Sequence, residues 1–285
     1  MSDIKVGWAG LGNMGNPIVK NILKAGYPVT VYNRTKSKEQ EALSAGASSA
    51  ETPVKLVEAS DVIFVMVSDD NAVKEIFTGA DGLLSANAEG KLFINVSTVA
   101  PQTSKYVDEQ CRAKGASFLD VPVSGSVKPA QDATLILMVG GDAEYYEKAK
   151  PILDVIGKLS IHVGPVGAGS AAKLAINYLL GLNLQGLAET VLFAEANGVS
   201  TENMLTIINE GAVGNGITKM KSDPIMKNQF PAAFALKYLA KDLRLAREQG
   251  IDMPLSAPLS DTFQQALNSG MGDEDVMAVI KYLKR

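Results

Sequence analysis

Short apolar runs alternate with helix-like segments over the first 163 residues of the chain. The runs are continuously apolar rather than alternating, which is typical of strands buried on both faces of a parallel sheet. In the first helix-like segment, Ile18, Ile22 and Leu23 recur at helical spacing before Gly26. This order predicts a doubly wound α/β domain. The strand candidates are IKVGWAG, PVTVY, DVIFVMV, KLFINV, SFLDV, TLILMVGG and LSIHVG, with helix candidates near 36–45, 70–78 and 101–114.

The pattern changes at the glycine-rich stretch GPVGAGS, residues 164 to 170, after which we find no strand candidate. From about Ser170 to Asn197 the chain is almost uncharged, and a helix that is apolar nearly all round is typical of a buried element. We therefore predict an α/β domain at 1–163 and an all-α domain at 164–285, joined by this long helix. Further helices are predicted near 201–210, 231–249, 254–269 and 273–284.

Composition and charge exclude some classes of protein. Of 285 residues, 46% are hydrophobic and 20% are charged, which is ordinary for a globular protein. A net charge of −4 argues against a nucleic-acid partner, because proteins that bind phosphates along a nucleic acid are normally basic. The longest uncharged stretch, Leu174 to Ala188, is shorter than a membrane span and contains three amide side chains. We therefore expect no membrane partner and, since the start of the chain shows no signal pattern, a cytoplasmic location.

The chain has a single cysteine, Cys111, and a single histidine, His162. These counts exclude an internal disulfide, cysteine clusters and most multi-histidine metal sites, so we expect no metal. Any acid–base mechanism based on histidine would have to use His162. It lies in the strand-like stretch SIHVG, where we predict a structural histidine with satisfied hydrogen bonds.

The stretch GLGNMG follows the first predicted strand and opens the first predicted helix. It places Gly10, Gly12 and Gly15 in the pattern G-x-G-x-x-G. In a dinucleotide-binding turn, the first glycine allows the tight turn, the second lets a pyrophosphate approach the backbone, and the third lets helix and strand pack closely. The context predicts a Rossmann domain whose residues Gly10, Leu11, Gly12, Asn13, Met14 and Gly15 cradle a dinucleotide. A glycine-rich turn without a ligand is the alternative.

The second predicted strand ends in VYNRT, where an acidic residue would be expected to bind the ribose of NAD. Here the residues are Asn33, Arg34 and Thr35, and Lys36 and Lys38 follow. An arginine can neutralise the 2′-phosphate of NADP, whereas an acid would repel it. We therefore predict that these three residues bind NADP (NADPH), the alternative being a solvated basic loop.

Ligands of such sheets bind at the carboxyl ends of the strands, where two predicted ends carry polar groups. VMVSDD places Val67 and Ser68 along the path of the cofactor. INVSTVAP places Ser97 and Thr98 where they could hold a carboxylate or simply cap the following helix. Both interpretations of Ser97 and Thr98 remain open from the motif alone.

A third loop, DVPVSGSVKPAQD, places Ser124, Gly125 and Ser126 where the backbone can approach a ligand, with Lys128 following. A tight structural turn would need the same small residues. The sequence therefore predicts a substrate loop here without excluding a purely structural one.

Lys173 lies at the head of the long apolar helix, in AGSAAKLAINYLL. Asn177 follows four residues later, so the two side chains share one face of the helix. Desolvation lowers the pKa of a lysine toward the range useful for proton transfer, and a protonated lysine can stabilise a carbonyl oxygen that gains charge during reduction. The glycine-rich start of the helix could also attract a substrate carboxylate. The alternative is a lysine that extends from the first turn into water.

Five motifs in order, GLGNMG, NVSTVAP, PVSGSVKPA, GAGSAAKLAIN and FALKYLAKDLRLA, resemble those of the β-hydroxyacid dehydrogenases across nearly the whole chain. That family includes 3-hydroxyisobutyrate dehydrogenase and tartronate semialdehyde reductase. SGSVKPA, NRT and FALKYLAKD are most similar to its glyoxylate/succinic semialdehyde reductase branch. Many members have Gly-Gly after the serine of the substrate loop, whereas this chain has Gly125-Ser126, which argues against a simple 3-hydroxyisobutyrate assignment.

The resemblance implies a Rossmann domain joined by a long helix to an all-α domain, with the active site in the cleft and assembly as a homodimer or homotetramer. It implies that Lys173 matches the catalytic lysine of the signature G-x-x-x-K-x-x-x-N and that Asn177 matches its asparagine. By similarity, the substrate is bound by Thr98, Ser124, Gly125, Ser126, Lys173, Asn177, Phe234 and Asp242. The cofactor is contacted by Lys241 and by Thr98, which thus has both roles.

The resemblance leaves several functions open. The first is an NADPH-dependent reductase of short aldehyde acids such as succinate semialdehyde or glyoxylate. The second keeps the chemistry but takes 3-hydroxyisobutyrate or tartronate semialdehyde. An imine reductase is less favoured because such enzymes usually carry another residue at the position of Lys173. A non-catalytic dinucleotide-binding module is less favoured because the lysine and the glycine turn are both intact.

Overall fold

A computed structural model describes residues 4–284 of the chain. The chain divides into two compact units, Met1–Lys173 and Leu174–Arg285, and the division falls within one long helix. The predicted boundary after residue 163 lies earlier in the chain and stays a prediction. The predicted fold class, a Rossmann domain followed by an all-helical domain, is confirmed.

The first unit is built on a nine-stranded sheet, counted over residues 4–173. The strand order is β3-β2-β1-β4-β5-β6-β8-β7, and β9 pairs with β8. The neighbours from β3 to β6 are parallel, β8 is antiparallel to both β6 and β7, and β9 is parallel to β8. The strands are β1 Val6–Ala9, β2 Val29–Tyr32, β3 Ser48–Ser49, β4 Val62–Val65, β5 Leu92–Asn95, β6 Ser117–Asp120, β7 Val123–Ser124, β8 Leu135–Gly141 and β9 Gly157–Gly164.

Since β1 lies between β2 and β4, the chain reverses its direction of travel across the sheet at β1, which is where such sheets bind nucleotides. β1 and β4 are buried at every position, as their continuous apolar runs predict. On one face Trp8 stacks on Phe64 at 5.3 Å, and on the other Phe77 packs edge-on against Phe93 at 5.6 Å. One apolar core therefore lies on each side of the sheet.

Seven helices accompany this sheet within residues 4–167. The helix candidates near 36–45, 70–78 and 101–114 are confirmed, the first as a 3-10 turn, Lys36–Glu39, that runs into α2. Three helices have no counterpart among the predicted elements: two of them, α3 and α6, are short, and α7 contains Pro151. The helices are α1 Gly15–Lys24, α2 Gln40–Ser44, α3 Pro53–Glu58, α4 Asp70–Thr78, α5 Pro101–Arg112, α6 Val127–Gln131 and α7 Ala143–Leu153.

The second unit is helical, and residues 174–284 contain no strand, which confirms the prediction. One helix was not predicted, because Gly214 precedes it, Gly216 is its first residue and Pro224 lies inside it. It begins at a capping box in which Asn215 and Thr218 satisfy each other's backbone amides. Together with the long helix α8 Ala168–Ala196, the helices are α9 Thr201–Glu210, α10 Gly216–Lys227, α11 Leu236–Glu248, α12 Ser256–Ala266 and α13 Val279–Leu283.

Helix α8 was expected to be buried nearly all round, and the structure corrects this. Leu179 is 52% exposed and Phe193 is 72% exposed in the single chain. The opposite face packs into the core of the second unit through residues such as Leu184 and Val191. In the described part of the chain, no helix combines the length and the apolar character that crossing a membrane requires.

Candidate active site

The three glycines of the turn after β1 differ in what surrounds them. Gly10 has a φ of +103°, and a Cβ there would lie 2.0 Å from the carbonyl oxygen of Met66. A Cβ on Gly15 would lie 2.4 Å from the carbonyl oxygen of Gly10. At Gly12, by contrast, no described atom lies within 4 Å of the Cβ position. The first and third glycines are therefore required by packing, while the second leaves open space where a bound group can reach the backbone.

The start of α1 also fits an anionic group. Met14 occupies the N-cap position, where no side chain of the described residues caps the helix, and the first turn holds no acidic residue. Uncapped amides at a helix N-terminus attract anions such as phosphates. Asn13 lies exposed beside them. The turn thus fits the pyrophosphate of a nicotinamide dinucleotide, held against the backbone from Gly10 to Gly15.

Asn33 joins this turn to the end of β2. Its Oδ1 accepts a 2.8 Å hydrogen bond from the backbone amide of Leu11, and its Nδ2 donates to the carbonyl of Thr35 at 2.8 Å. Asn33 therefore shapes both the glycine turn and the loop predicted to bind NADP. Arg34, between these anchored residues, is exposed and makes no hydrogen bond or ion pair within residues 4–284.

The ends of β4 and β5 brace each other. Ser97 Oγ accepts a 2.9 Å hydrogen bond from the amide of Val67, and the amide of Ser97 donates to Asn95 Oδ1 at 3.1 Å. Helix α5 follows Ala100, whose backbone amide donates to Asp70 Oδ1 at 2.9 Å. Ser97 therefore links two strand ends rather than capping the helix. Thr98, next to Ser97, is half-buried. At the end of β4, the Ser68 hydroxyl donates a 2.7 Å hydrogen bond to Asp69 Oδ2.

Asp120, which no motif singled out, anchors the start of α8. It is fully buried at the end of β6, where Oδ1 accepts from the amide of Gly167 at 2.9 Å and Oδ2 from the amide of Ser170 at 2.7 Å. Burial raises the pKa of the Asp120 carboxyl, and the hydrogen bonds from these two residues oppose that rise. The expectation that this helix start attracts a substrate carboxylate is wrong, because the protein's own carboxylate already occupies it.

The loop predicted to hold the substrate begins at β7. Ser124 is half-buried, and Gly125 has a φ of +136° with a Cβ position 2.7 Å from Leu135 Cδ2. Glycine is therefore required at this position by both conformation and space. Ser126 precedes α6, and no side chain in the described residues makes a capping hydrogen bond there. Lys128 is turned outward into a 2.6 Å ion pair with Asp132.

Three of the predicted residues cluster in the second unit. Asn177 Nδ2 donates to Asp242 Oδ2 at 2.6 Å, and Lys241 Nζ lies 3.0 Å from Asp242 Oδ1. Asn177 and Asp242 are 3% and 2% exposed. Lys173 lies one helical turn before Asn177 on α8 and is 8% exposed, so it does not extend into water.

The loop that carries Phe234 is held by a buried ion pair. Lys221 Nζ lies 2.7 Å from Asp275 Oδ1, and both side chains are almost fully buried. Asp275 Oδ2 accepts from the amides of Ala233 and Phe234 at 3.2 and 3.4 Å. The predicted pocket residue Phe234, stacked on Tyr238 at 6.4 Å, therefore lies on an anchored segment.

His162 has structural contacts. Its Nε2 lies 2.7 Å from the carbonyl oxygen of Gly141, to which it donates, and its ring stacks on Tyr146 at 5.6 Å. Among residues 4–284, no group of three or more His, Cys, Asp or Glu side chains is arranged to hold a metal.

Two family models match consecutive parts of the chain. The model described as the NAD binding domain of 6-phosphogluconate dehydrogenase matches residues 5–164. The model described as NAD-binding of NADP-dependent 3-hydroxyisobutyrate dehydrogenase matches residues 167–283. Together they cover almost all of both units.

Individual relatives agree with these matches. The chain is 38% identical to glyoxylate/succinic semialdehyde reductase 1 of Arabidopsis thaliana, over 99% of both chains. It is 35% identical to 2-(hydroxymethyl)glutarate dehydrogenase of Eubacterium barkeri, over 98% of this chain and 94% of that one. The solved structure of Mycobacterium tuberculosis 3-hydroxyisobutyrate dehydrogenase with L-serine has a TM-score of 0.90 at 28% identity, over 99% of both chains. The chain therefore belongs to the β-hydroxyacid dehydrogenase family and is an NAD(P)-dependent oxidoreductase.

Proposed function

We propose that the chain is an NADPH-dependent reductase of short aldehyde acids, which converts succinate semialdehyde to 4-hydroxybutyrate and glyoxylate to glycolate. The observation that carries this proposal is the buried Lys173, one helical turn before an asparagine whose amide is held by Asp242. The 38% identity to a glyoxylate/succinic semialdehyde reductase supports the substrate class.

When bound, the reduced cofactor would supply a hydride for the carbonyl carbon of the substrate. Lys173 stabilises the negative charge that develops on the carbonyl oxygen and then donates a proton to it. Asn177 orients this oxygen and the lysine, and its own amide is fixed by the short hydrogen bond to Asp242. Lys241, which is paired with the same carboxylate, would help to hold the cofactor.

The substrate carboxylate needs donors other than the start of α8, because Asp120 occupies that helix end. We assign this role to Thr98 and to the loop Ser124, Gly125 and Ser126. Phe234 and Asp242 line the rest of the pocket. Small residues and hydroxyl groups in the loop let its backbone and side chains approach a short, charged substrate.

Preference for NADP rests on Arg34, with Asn33 and Thr35 shaping the turn around it. Val67 and Ser68 line the cofactor's path. One of the matching family models is described as NADP-dependent, which supports the same preference. The exposed apolar side chains of α8 support assembly of the chain as a homodimer or homotetramer. We also propose a cytoplasmic location.

A second candidate is 3-hydroxyisobutyrate dehydrogenase or tartronate semialdehyde reductase, which the TM-score of 0.90 to a 3-hydroxyisobutyrate dehydrogenase favours. The test is a panel of succinate semialdehyde, glyoxylate, tartronate semialdehyde and 3-hydroxyisobutyrate. The aldehydes are assayed with NADPH and with NADH, and 3-hydroxyisobutyrate with NADP and with NAD in their oxidised forms. The kcat/KM values are then compared. The proposal expects the highest value for succinate semialdehyde or glyoxylate with NADPH. A higher value for either of the other two substrates would select the second candidate.

A further inference from the structure

Glu39 is a buried carboxylate in the loop after β2. It is 2% exposed, and each of its oxygens accepts hydrogen bonds. Oε1 accepts from the backbone amide of Asn33 at 2.7 Å and from Lys36 Nζ at 2.9 Å, while Oε2 accepts from Ser49 Oγ at 2.6 Å. A charge buried this deeply is tolerated only where such partners compensate its desolvation. Glu39 is therefore the centre of a network rather than half of a surface ion pair.

This network immobilises the turn that carries Arg34. The backbone amide of Asn33 is bound by Glu39, and its side chain is bound to Leu11 and to Thr35. Arg34 thus lies between two residues whose positions are set by hydrogen bonds. The position of its guanidinium group depends on a backbone that Glu39 holds.

Glu39 also changes which cations are available to a ligand. Lys36 is compensated by Glu39 and additionally donates to the carbonyl of Ala50 at 2.6 Å. Arg34 has no such partner within residues 4–284 and is exposed. An anion that approaches this turn therefore finds the charge of Arg34 uncompensated, while that of Lys36 is already neutralised.

We propose that Glu39 is a positioning residue for cofactor discrimination, which holds the Asn33–Thr35 turn so that Arg34 faces the 2′-phosphate of NADP. The inference rests on the proposed function, in which Arg34 binds that phosphate. It predicts that the loss of Glu39 weakens binding only of ligands that carry the 2′-phosphate.

The test compares Glu39→Met, which removes the acceptor, with Glu39→Gln, which keeps an acceptor without the charge. Affinities are measured by calorimetry for 2′,5′-ADP and for 5′-AMP, which differ only in the 2′-phosphate. For Glu39→Met we expect about a tenfold weaker affinity for 2′,5′-ADP, which is about 1.4 kcal/mol of binding free energy, because the turn that carries Arg34 is no longer held. Its affinity for 5′-AMP should change by less than about threefold, and Glu39→Gln should restore most of the loss.

Glu41→Gln is the matched control, because Glu41 lies two residues later with 55% of its side chain exposed and, within the described residues, pairs only with Lys20. It should change neither affinity. If Glu39→Met does not fold, Ser49→Ala removes one partner of the carboxylate and should weaken 2′,5′-ADP binding in the same direction. A parallel loss of 2′,5′-ADP and 5′-AMP affinity in the variant that is tested overturns the proposal.

A double-mutant cycle with Arg34→Ala shows whether Glu39 acts through Arg34. We expect Glu39→Met to have no further effect on 2′,5′-ADP binding once Arg34 is absent. Fully additive losses would overturn the proposal. If Arg34→Ala alone leaves 2′,5′-ADP binding unchanged, the proposed basis of NADP preference fails. If Arg34→Ala weakens binding but Glu39→Met does not, only the role of Glu39 fails.

Discussion

Asn177 donates a 2.6 Å hydrogen bond to Asp242, so that the amide on α8 is oriented by a buried carboxylate on α11. The second oxygen of that carboxylate lies 3.0 Å from the ammonium group of Lys241. One buried anion therefore sets the position of two residues that the proposed mechanism uses. Asp242 therefore orients the amide of Asn177 from within the same unit.

Asp242→Leu should lower kcat by about 100-fold, because Asn177 and Lys241 both lose the group that orients them and general acid–base steps contribute 10²–10⁴-fold. Steady-state kinetics with succinate semialdehyde measures the change. Asp261→Asn is the control, since Asp261 lies on the surface of the same unit in an exposed ion pair with Arg247. A kcat within about twofold of the wild-type value in the leucine variant would contradict a role for Asp242 in the reaction.

Lys173→Ala should reduce turnover by about three orders of magnitude while NADPH still binds, since the lysine acts as proton donor rather than cofactor anchor. Single-turnover kinetics measures the chemical step, and quenching of protein fluorescence measures NADPH affinity. Near-normal turnover in this variant would contradict the role of Lys173 as proton donor. A loss of NADPH affinity equal to the loss of turnover would make Lys173 a binding residue instead.

Alanine at Gly12 should weaken dinucleotide binding, whereas alanine at Gly15 should destabilise the fold. Gly12→Ala places its Cβ in space free of described atoms, so the melting temperature should stay near the wild-type value while dinucleotide affinity falls at least about tenfold. Gly15→Ala places its Cβ 2.4 Å from a backbone oxygen, so it should destabilise the fold by about 1–3 kcal/mol. Thermal unfolding and NADPH titration separate the two outcomes. If both variants melt like the wild type, the packing role of Gly15 is wrong.

Asp120→Ala should destabilise the protein by about 2–4 kcal/mol, because two buried amides at the start of α8 lose their acceptor. Urea unfolding followed by circular dichroism measures the change. Asp132→Ala is the control, since it breaks only an exposed ion pair worth about 0–1 kcal/mol. Equal stability of the two variants would show that Asp120 does not anchor the helix.

Cys111 should be unreactive in the folded protein. Burial raises the pKa of its thiol, with a smaller contribution from the charge of Asp108, so the reactive thiolate is scarce even at alkaline pH. We expect negligible alkylation by iodoacetamide from pH 7 to pH 9 without denaturant. Labelling in urea should follow the unfolding transition, and rapid labelling of the native protein would contradict the buried position.

The sequence predicts those parts of the fold that depend on local pattern. Continuous apolar strands indicate the parallel sheet, and the glycine turn indicates where a dinucleotide approaches. The long helix is found almost at its true bounds, because a run of apolar residues ends in GVS at its far side. The sequence also predicts a role for Arg34, because it stands where an acid would bind the ribose of NAD, and for Lys173, because it lies at the head of an apolar helix.

Contacts between residues distant in the chain are not predictable in this way. Asp120 looks like any acid at the end of a strand, and only the folded sheet brings it to the amides of Gly167 and Ser170. Glu39 resembles one of several charged residues in a basic loop, although it is buried. Helix α10 has glycine before it and proline within it, so its local signals point against a helix that tertiary packing nevertheless supports.

The contact at Asp120 has a consequence for redesign of the enzyme. A Cβ on Gly140 would lie 2.2 Å from Asp120 Oδ1, and one on Gly169 would lie 2.5 Å from the Asp120 carbonyl oxygen. Asp120 precedes the Ser124–Ser126 loop by four residues, and Gly169 precedes Lys173 by four. A library that varies substrate preference should therefore leave these three positions constant and concentrate its diversity on Ser126 and Phe234.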